Sequence, residues 1–152
     1  MKKKRVVIIS LLLLLVSVIG ISSYFLFKDK INLLDVDHSA VDWNGKKQKD
    51  TSGEENTIAI PGFEKVTLYA NETKQAVNFH NPEINDCYFK ISLIHPDGSV
   101  LWISDLIEPG KGMYSIELEK TLAVGEYENA VLKYECFSLN DQSPLNGSEI
   151  NL

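Results

Sequence analysis

Signatures of metal binding and catalysis are scarce in this sequence. It holds only two cysteines, Cys87 and Cys136, and three histidines, His38, His80 and His95. No CxxC or HxxxH occurs, and no histidine has a cysteine or carboxylate at metal-ligand spacing, which leaves a zinc-type centre without a local frame. The nucleophile elbow Gly-x-Ser-x-Gly, the phosphate loop and the dinucleotide fingerprint are all missing. The histidines therefore read as solvated turn residues, and Asp86, Asp97 and Asp105 as turn and strand-end residues rather than paired acids. No cofactor and no metal is implied, and the chain is read as a non-enzyme, a site assembled from distant loops being the less favoured reading.

Acidic residues are absent from the first 28 positions. All 21 follow Phe27, whereas Lys2, Lys3, Lys4 and Arg5 precede Val6. Eleven basic against twenty-one acidic residues leave the part after Phe27 at a net charge of −10. Such a balance is poorly suited to nucleic acid or anionic wall polymers, so nucleic acid is excluded as an expected partner.

What stands out instead is Val6 to Phe27, VVIISLLLLLVSVIGISSYFLF, 22 residues without a charge. At about 1.5 Å per helical residue it is long enough for a hydrocarbon core of about 30 Å. The reading is a basic head at 1–5 and a transmembrane signal-anchor helix at 6–27, with the lipid bilayer as its partner. The head Lys2, Lys3, Lys4 and Arg5 outweighs Lys28 and Lys30 beyond the span. That bias puts the N-terminus in the cytoplasm and the rest outside a single-pass membrane protein. The competing reading is a cleaved signal with Gly20 and Ser22 before a cut at Ser23. Tyr24 to Phe27 continue the apolar run past that point, which favours the anchor.

Residues 28–57 are polar, of mixed charge, and carry turn formers at Asn44-Gly45 and Ser52-Gly53, the texture of a flexible linker. Asp35, Asp37, Ser39 and Asp42 have the spacing of calcium-loop ligands, but Ala40 stands where the loop needs glycine and Lys46 where it needs glutamate, so calcium is not expected.

From Ile58 to Leu152 short alternating runs are separated by turn residues, which predicts an all-β domain of about seven strands, an antiparallel β-sandwich. The predicted strands are Ile58–Ile60, Lys65–Ala70, Gln75–Phe79, Cys87–Ile94, Ser99–Ser104, Met113–Leu118, Glu126–Ser138 and Glu149–Leu152. Cys87, Phe89, Ile91 and Leu93 share one face, with Tyr88, Lys90 and Ser92 on the other. Tyr127 is out of phase with Ala130, Leu132, Tyr134 and Cys136, which predicts a bulge near Asn129.

Both cysteines are in phase with core-facing sets. Outside a membrane such a pair suits a disulfide closing about 50 residues, for roughly 3 to 4 kcal/mol, against the alternative of two buried thiols. Trp102 fifteen positions after Cys87, and Tyr134 two before Cys136, resemble the immunoglobulin pattern of tryptophan and tyrosine corner. The tight turn His95-Pro96-Asp97-Gly98 argues for a direct hairpin instead, so the strand order stays open. Among the aromatics Tyr69, Phe79, Tyr88, Trp102, Tyr114 and Tyr127, most are expected in the core. Tyr88 and Trp102 are the candidates for a binding surface.

The segments IAIPGFEKV, NPEINDCYFKISL, DLIEPGKGMY and PLNGSEI give the stretch from Ile58 to Leu152 a resemblance to small, largely uncharacterised exported proteins of Gram-positive bacteria. The resemblance implies one membrane span, a polar tether, one immunoglobulin-like β-sandwich, and an association with cell-surface or conjugation-type assemblies; it carries no catalytic residues. The expected role is protein–protein interaction at the cell envelope. The alternative is a cell-wall carbohydrate-binding module that uses exposed aromatics.

Overall fold

The computed structural model describes residues 33–45 and 57–152. The basic head, the apolar run 6–27 and parts of the 28–57 stretch lie outside the described residues. By its internal contacts the chain divides between Leu33 and Leu34, and the architecture below is that of the unit beginning at Leu34.

Seven strands form in chain order: β1 (Val41–Asp42), β2 (Lys74–His80), β3 (Cys87–Ile94), β4 (Val100–Ile103), β5 (Lys111–Glu117), β6 (Val131–Ser138) and β7 (Pro144–Asn151). They make two antiparallel sheets, one ordered β1-β5-β2 and the other β4-β3-β6-β7, and no helix occurs among the described residues. The period-two alternation of β3 sends Cys87, Phe89, Ile91 and Leu93 inward, where they meet Leu132, Tyr134 and Cys136 of β6 and Leu101 and Trp102 of β4. Phe79, Met113 and Ile116 of the other sheet complete the core. Phe79 and Trp102 link the sheets, with ring centroids 5.9 Å apart.

Trp102 is thus a core residue, 8% exposed, and not the surface group expected. The reason is register: Trp102 stands opposite Leu93, on the inward face of β3. The immunoglobulin pattern also changes on inspection. β3 and β6 are neighbours in one sheet, so the two cysteines do not face each other across sheets. Tyr134 makes no corner either; its hydroxyl is buried without a hydrogen-bond partner, and burial pushes its phenol well above the usual range.

The 28–57 stretch is not a tether throughout. Val36 forms a parallel bridge to Leu106, and Val41–Asp42 pair with Lys111–Gly112 of β5. Trp43 stacks on His80 at 3.8 Å and 9°, while its indole N–H donates to Asn78 at 2.8 Å. Gly112 permits this, because a Cβ there would run into the Trp43 ring. His80, expected in solvent, is buried beneath that ring. The polar, mixed-charge composition of this stretch gave no sign that 34–44 would pack on the sheets.

Two predicted strands, Ile58–Ile60 and Lys65–Ala70, are absent as strands. Their alternation reports burial: Ile58, Ile60, Phe63, Val66 and Leu68 pack on the core. Their backbones are held by side chains instead. The Asn85 carboxamide accepts from Ala59 N–H at 2.8 Å and donates to its carbonyl at 2.9 Å. Gln75 does the same for Tyr69, at 2.7 and 2.9 Å. A third amide, Gln142, clamps Leu34 at 2.6 and 3.0 Å. Segment 58–70 is therefore a strap across the sandwich rather than an eighth strand.

β6 begins at Val131, not Glu126. Asn129 adopts φ 68° in a turn, so Tyr127 is out of phase because it belongs to a loop, not because a strand bulges. The last strand is longer than expected, starting at Pro144, and it carries the bulge: Tyr134 pairs Ser148 while Cys136 pairs Leu145.

Candidate functional site

One end of the sandwich is open. A groove of about 540 Å³ lies between the strap, the β3–β4 turn and the loop before β6. Its apolar lining comes from Val66 and Leu68 of the strap, Leu93 and Leu101 of the second sheet, and Leu122 and Leu152. A cleft of this size is in the range that takes a small ligand or a few side chains of a partner.

Each wall has a local cause. The strap is pinned at Tyr69 by Gln75, whose amide also donates to the Glu72 carbonyl at 2.7 Å. The loop is fixed where Asn71 N–H donates to the Leu122 carbonyl at 2.7 Å and the Tyr127 hydroxyl to the Ala123 carbonyl at 3.0 Å. The turn closes with Gly98 N–H donating to the His95 carbonyl at 2.8 Å and His95 N–H to the Ser99 carbonyl at 2.9 Å. Tyr127 and His95 meet over the groove wall with ring centroids 5.3 Å apart.

The polar groups of the turn are committed to one another. His95 Nδ1 is 2.9 Å from Asp97 Oδ1, and Ser99 N–H donates to the same oxygen at 2.8 Å. Lys120 Nζ donates to the Ser99 hydroxyl at 2.9 Å. Hydrogen bonding from Ser99, with His95 adding to it, holds the Asp97 carboxyl well below the usual carboxylate range. Lys65, Glu126 and Glu128 stand on the lining with exposed side chains. Among the described residues no three histidine, cysteine or acidic side chains come together as a metal site.

Two large apolar side chains stand exposed at the mouth. Tyr69 is 61% and Val124 85% exposed, and both line the groove. Of the expected surface pair, Tyr88 does remain on the outer face of β3, half-buried and opposite Phe137, while Trp102 lies in the core; the two are not brought together. Lys2, Lys3, Lys4 and Arg5 lie outside the described residues. Cys87 and Cys136 are buried free thiols on the inward side of the β3–β6 pair. The groove was not anticipated, because its lining comes from five separate stretches of chain, 65–70, 93–96, 101, 122–130 and 152. One signal did exist: Val124 is an apolar residue in a turn, between Ala123 and Gly125, where a strand core has no use for it.

The class these observations define is a two-sheet, all-antiparallel β domain with an apolar groove at one end. No protein-family model, no curated protein and no solved structure matches the chain, so the functional reading rests on the geometry.

Proposed function

We propose that the chain is a non-enzymatic, membrane-anchored extracytoplasmic module that binds a protein partner at the bacterial cell envelope, as an accessory part of a surface or conjugation-type assembly. The observation that carries the reading is the pairing of an apolar groove with exposed Tyr69 and Val124 at its mouth. Exposed apolar groups beside a preformed cleft are the surface a partner desolvates on docking. The anchor reading rests on the charge-free run 6–27 behind Lys2 to Arg5.

The sandwich is read as immunoglobulin-like in a restricted sense. The order β4-β3-β6-β7 follows the C′-C-F-G order of such domains, and the β2–β5 pair follows B–E. The first strand departs from that layout by pairing with β5, where a D strand would lie. The carbohydrate reading loses ground because Trp102, one of its two aromatics, is in the core.

The test is cross-linking and pull-down from intact cells, comparing the full chain with a Tyr69→Ala/Val124→Asp variant. Both positions are exposed, so the fold should survive. The expected outcome is a captured protein whose yield falls about tenfold in the variant, the loss of one hot-spot contact. Recovery of no protein by the unaltered chain would overturn the reading.

A further inference from the structure

The β3–β6 register sets Cys136 opposite Phe89 and Cys87 opposite Ser138. The two cysteines are therefore diagonal neighbours on the same side of adjacent strands, each 1% exposed. Diagonal pairs on one face have Cα atoms about 7–8 Å apart and Cβ atoms closer, and here each thiol perturbs the ionisation of the other, so closing the bond draws the two strands together locally. Cys87 is also held in place, since its carbonyl accepts from the Asn81 amide at 2.8 Å. The chain contains no other cysteine.

We infer that Cys87 and Cys136 form a disulfide within one sheet, tying β3 to β6, rather than the inter-sheet bridge of immunoglobulin domains. The bond is made by exchange with an external disulfide while the chain is still open. The Cys87 thiolate attacks one sulfur of the external disulfide, forms a mixed disulfide and expels one thiolate. Cys136 then loses its proton and attacks the Cys87 sulfur, expelling the second thiolate. Two protein thiols are oxidised, one external disulfide is reduced to two thiols, and two protons are released. In the open chain neither thiol has its folded surroundings, so the same two steps run equally with Cys136 attacking first. Burial of both sulfurs bars exchange in the finished fold. A chain that folds reduced stays reduced, and one that folds bridged stays bridged. The exchange itself is independent of location, but its occurrence in cells rests on the proposed export, since the oxidising compartments lie outside the cytoplasm.

The experiment uses the full chain in detergent. Reduced, folded protein and denatured, reduced protein are each brought into a buffer of oxidised and reduced glutathione, then alkylated, digested without reductant and weighed. The expected result is a linked Cys87–Cys136 peptide only in the refolded sample, with the unfolding temperature of that sample raised by about 10 °C over the reduced form. In a Cys136→Ser chain refolded the same way, Cys87 should carry glutathione. Two alkylated thiols after oxidative refolding, or rapid oxidation of the folded chain, would overturn the inference. A chain that bridges in vitro yet is recovered reduced from cells supports the pair and counts against export, so the two failures are distinguishable.

Discussion

At the scale of single residues, the domain depends on carboxamides that stand in for missing strand partners. Gln75, Asn85 and Gln142 each satisfy both the N–H and the C=O of one backbone residue, at Tyr69, Ala59 and Leu34. An amide is suited to this because it carries a donor and an acceptor in one plane, as a peptide group does. Asn85 extends the arrangement inward by donating to Asn81 at 2.8 Å, and Asn81 donates to the Cys87 and Ile107 carbonyls at 2.8 and 2.9 Å. Replacing Gln75 with leucine keeps the volume and removes three hydrogen bonds, leaving both polar groups of Tyr69 without their partner. Urea unfolding should show a loss of about 2 to 4 kcal/mol, and the Tyr69 amide should exchange faster with solvent. An unchanged midpoint would mean that apolar packing alone holds the strap. Of these three amides, only the inward phase of Gln75 hinted at a special role in the sequence, because polar residues at core positions need partners. What those partners were depended on chain folding and could not be read locally.

At the scale of elements, the last strand of the second sheet is irregular. β7 offers Asn146 and Gly147 opposite the single residue Glu135, and a Cβ on Gly147 would overlap the Tyr134 carbonyl oxygen. Gly147→Ala should therefore cost about 3 kcal/mol or more, by urea unfolding, since backbone rather than a flexible side chain must yield. The β3–β4 turn has a different dependence. Asp97 titrates below its ordinary value of 3.8 in the folded domain. A lowered carboxyl contributes stability above its unfolded value, and that contribution is lost as pH falls towards the folded value. The gap in unfolding temperature between the unaltered chain and Asp97→Asn should thus be full at about pH 5 and close as pH drops below about 3. A gap independent of pH would show that the carboxylate charge does not matter to the turn. Strands β3, β4 and β5 were legible within a residue or two, because each has alternation and a turn signal at its ends. Residues 58–70 misled for a physical reason. Alternation records which side chains are buried, while strand assignment depends on which backbone lies alongside, and here none does. β1 was missed for the converse reason, having two exposed residues and a partner some 70 positions away in sequence.

At the scale of the whole molecule, the proposed docking surface is confined to one end of the domain. The groove lies where the strap, the β3–β4 turn and the loop before β6 converge, while Ile84, 65% exposed, sits in the β2–β3 connection at the opposite end of β3. Exposure alone does not distinguish these two ends; the cleft behind Tyr69 and Val124 does. The most direct measurement is site-specific photo-crosslinking in intact cells, with the photoreactive residue placed at Val124 in one strain and at Ile84 in another. The account expects a discrete protein adduct from Val124 and none from Ile84, with the Val124 adduct lost on adding Leu68→Lys to close the groove. No adduct from Val124, or the same adduct from both ends, would contradict it.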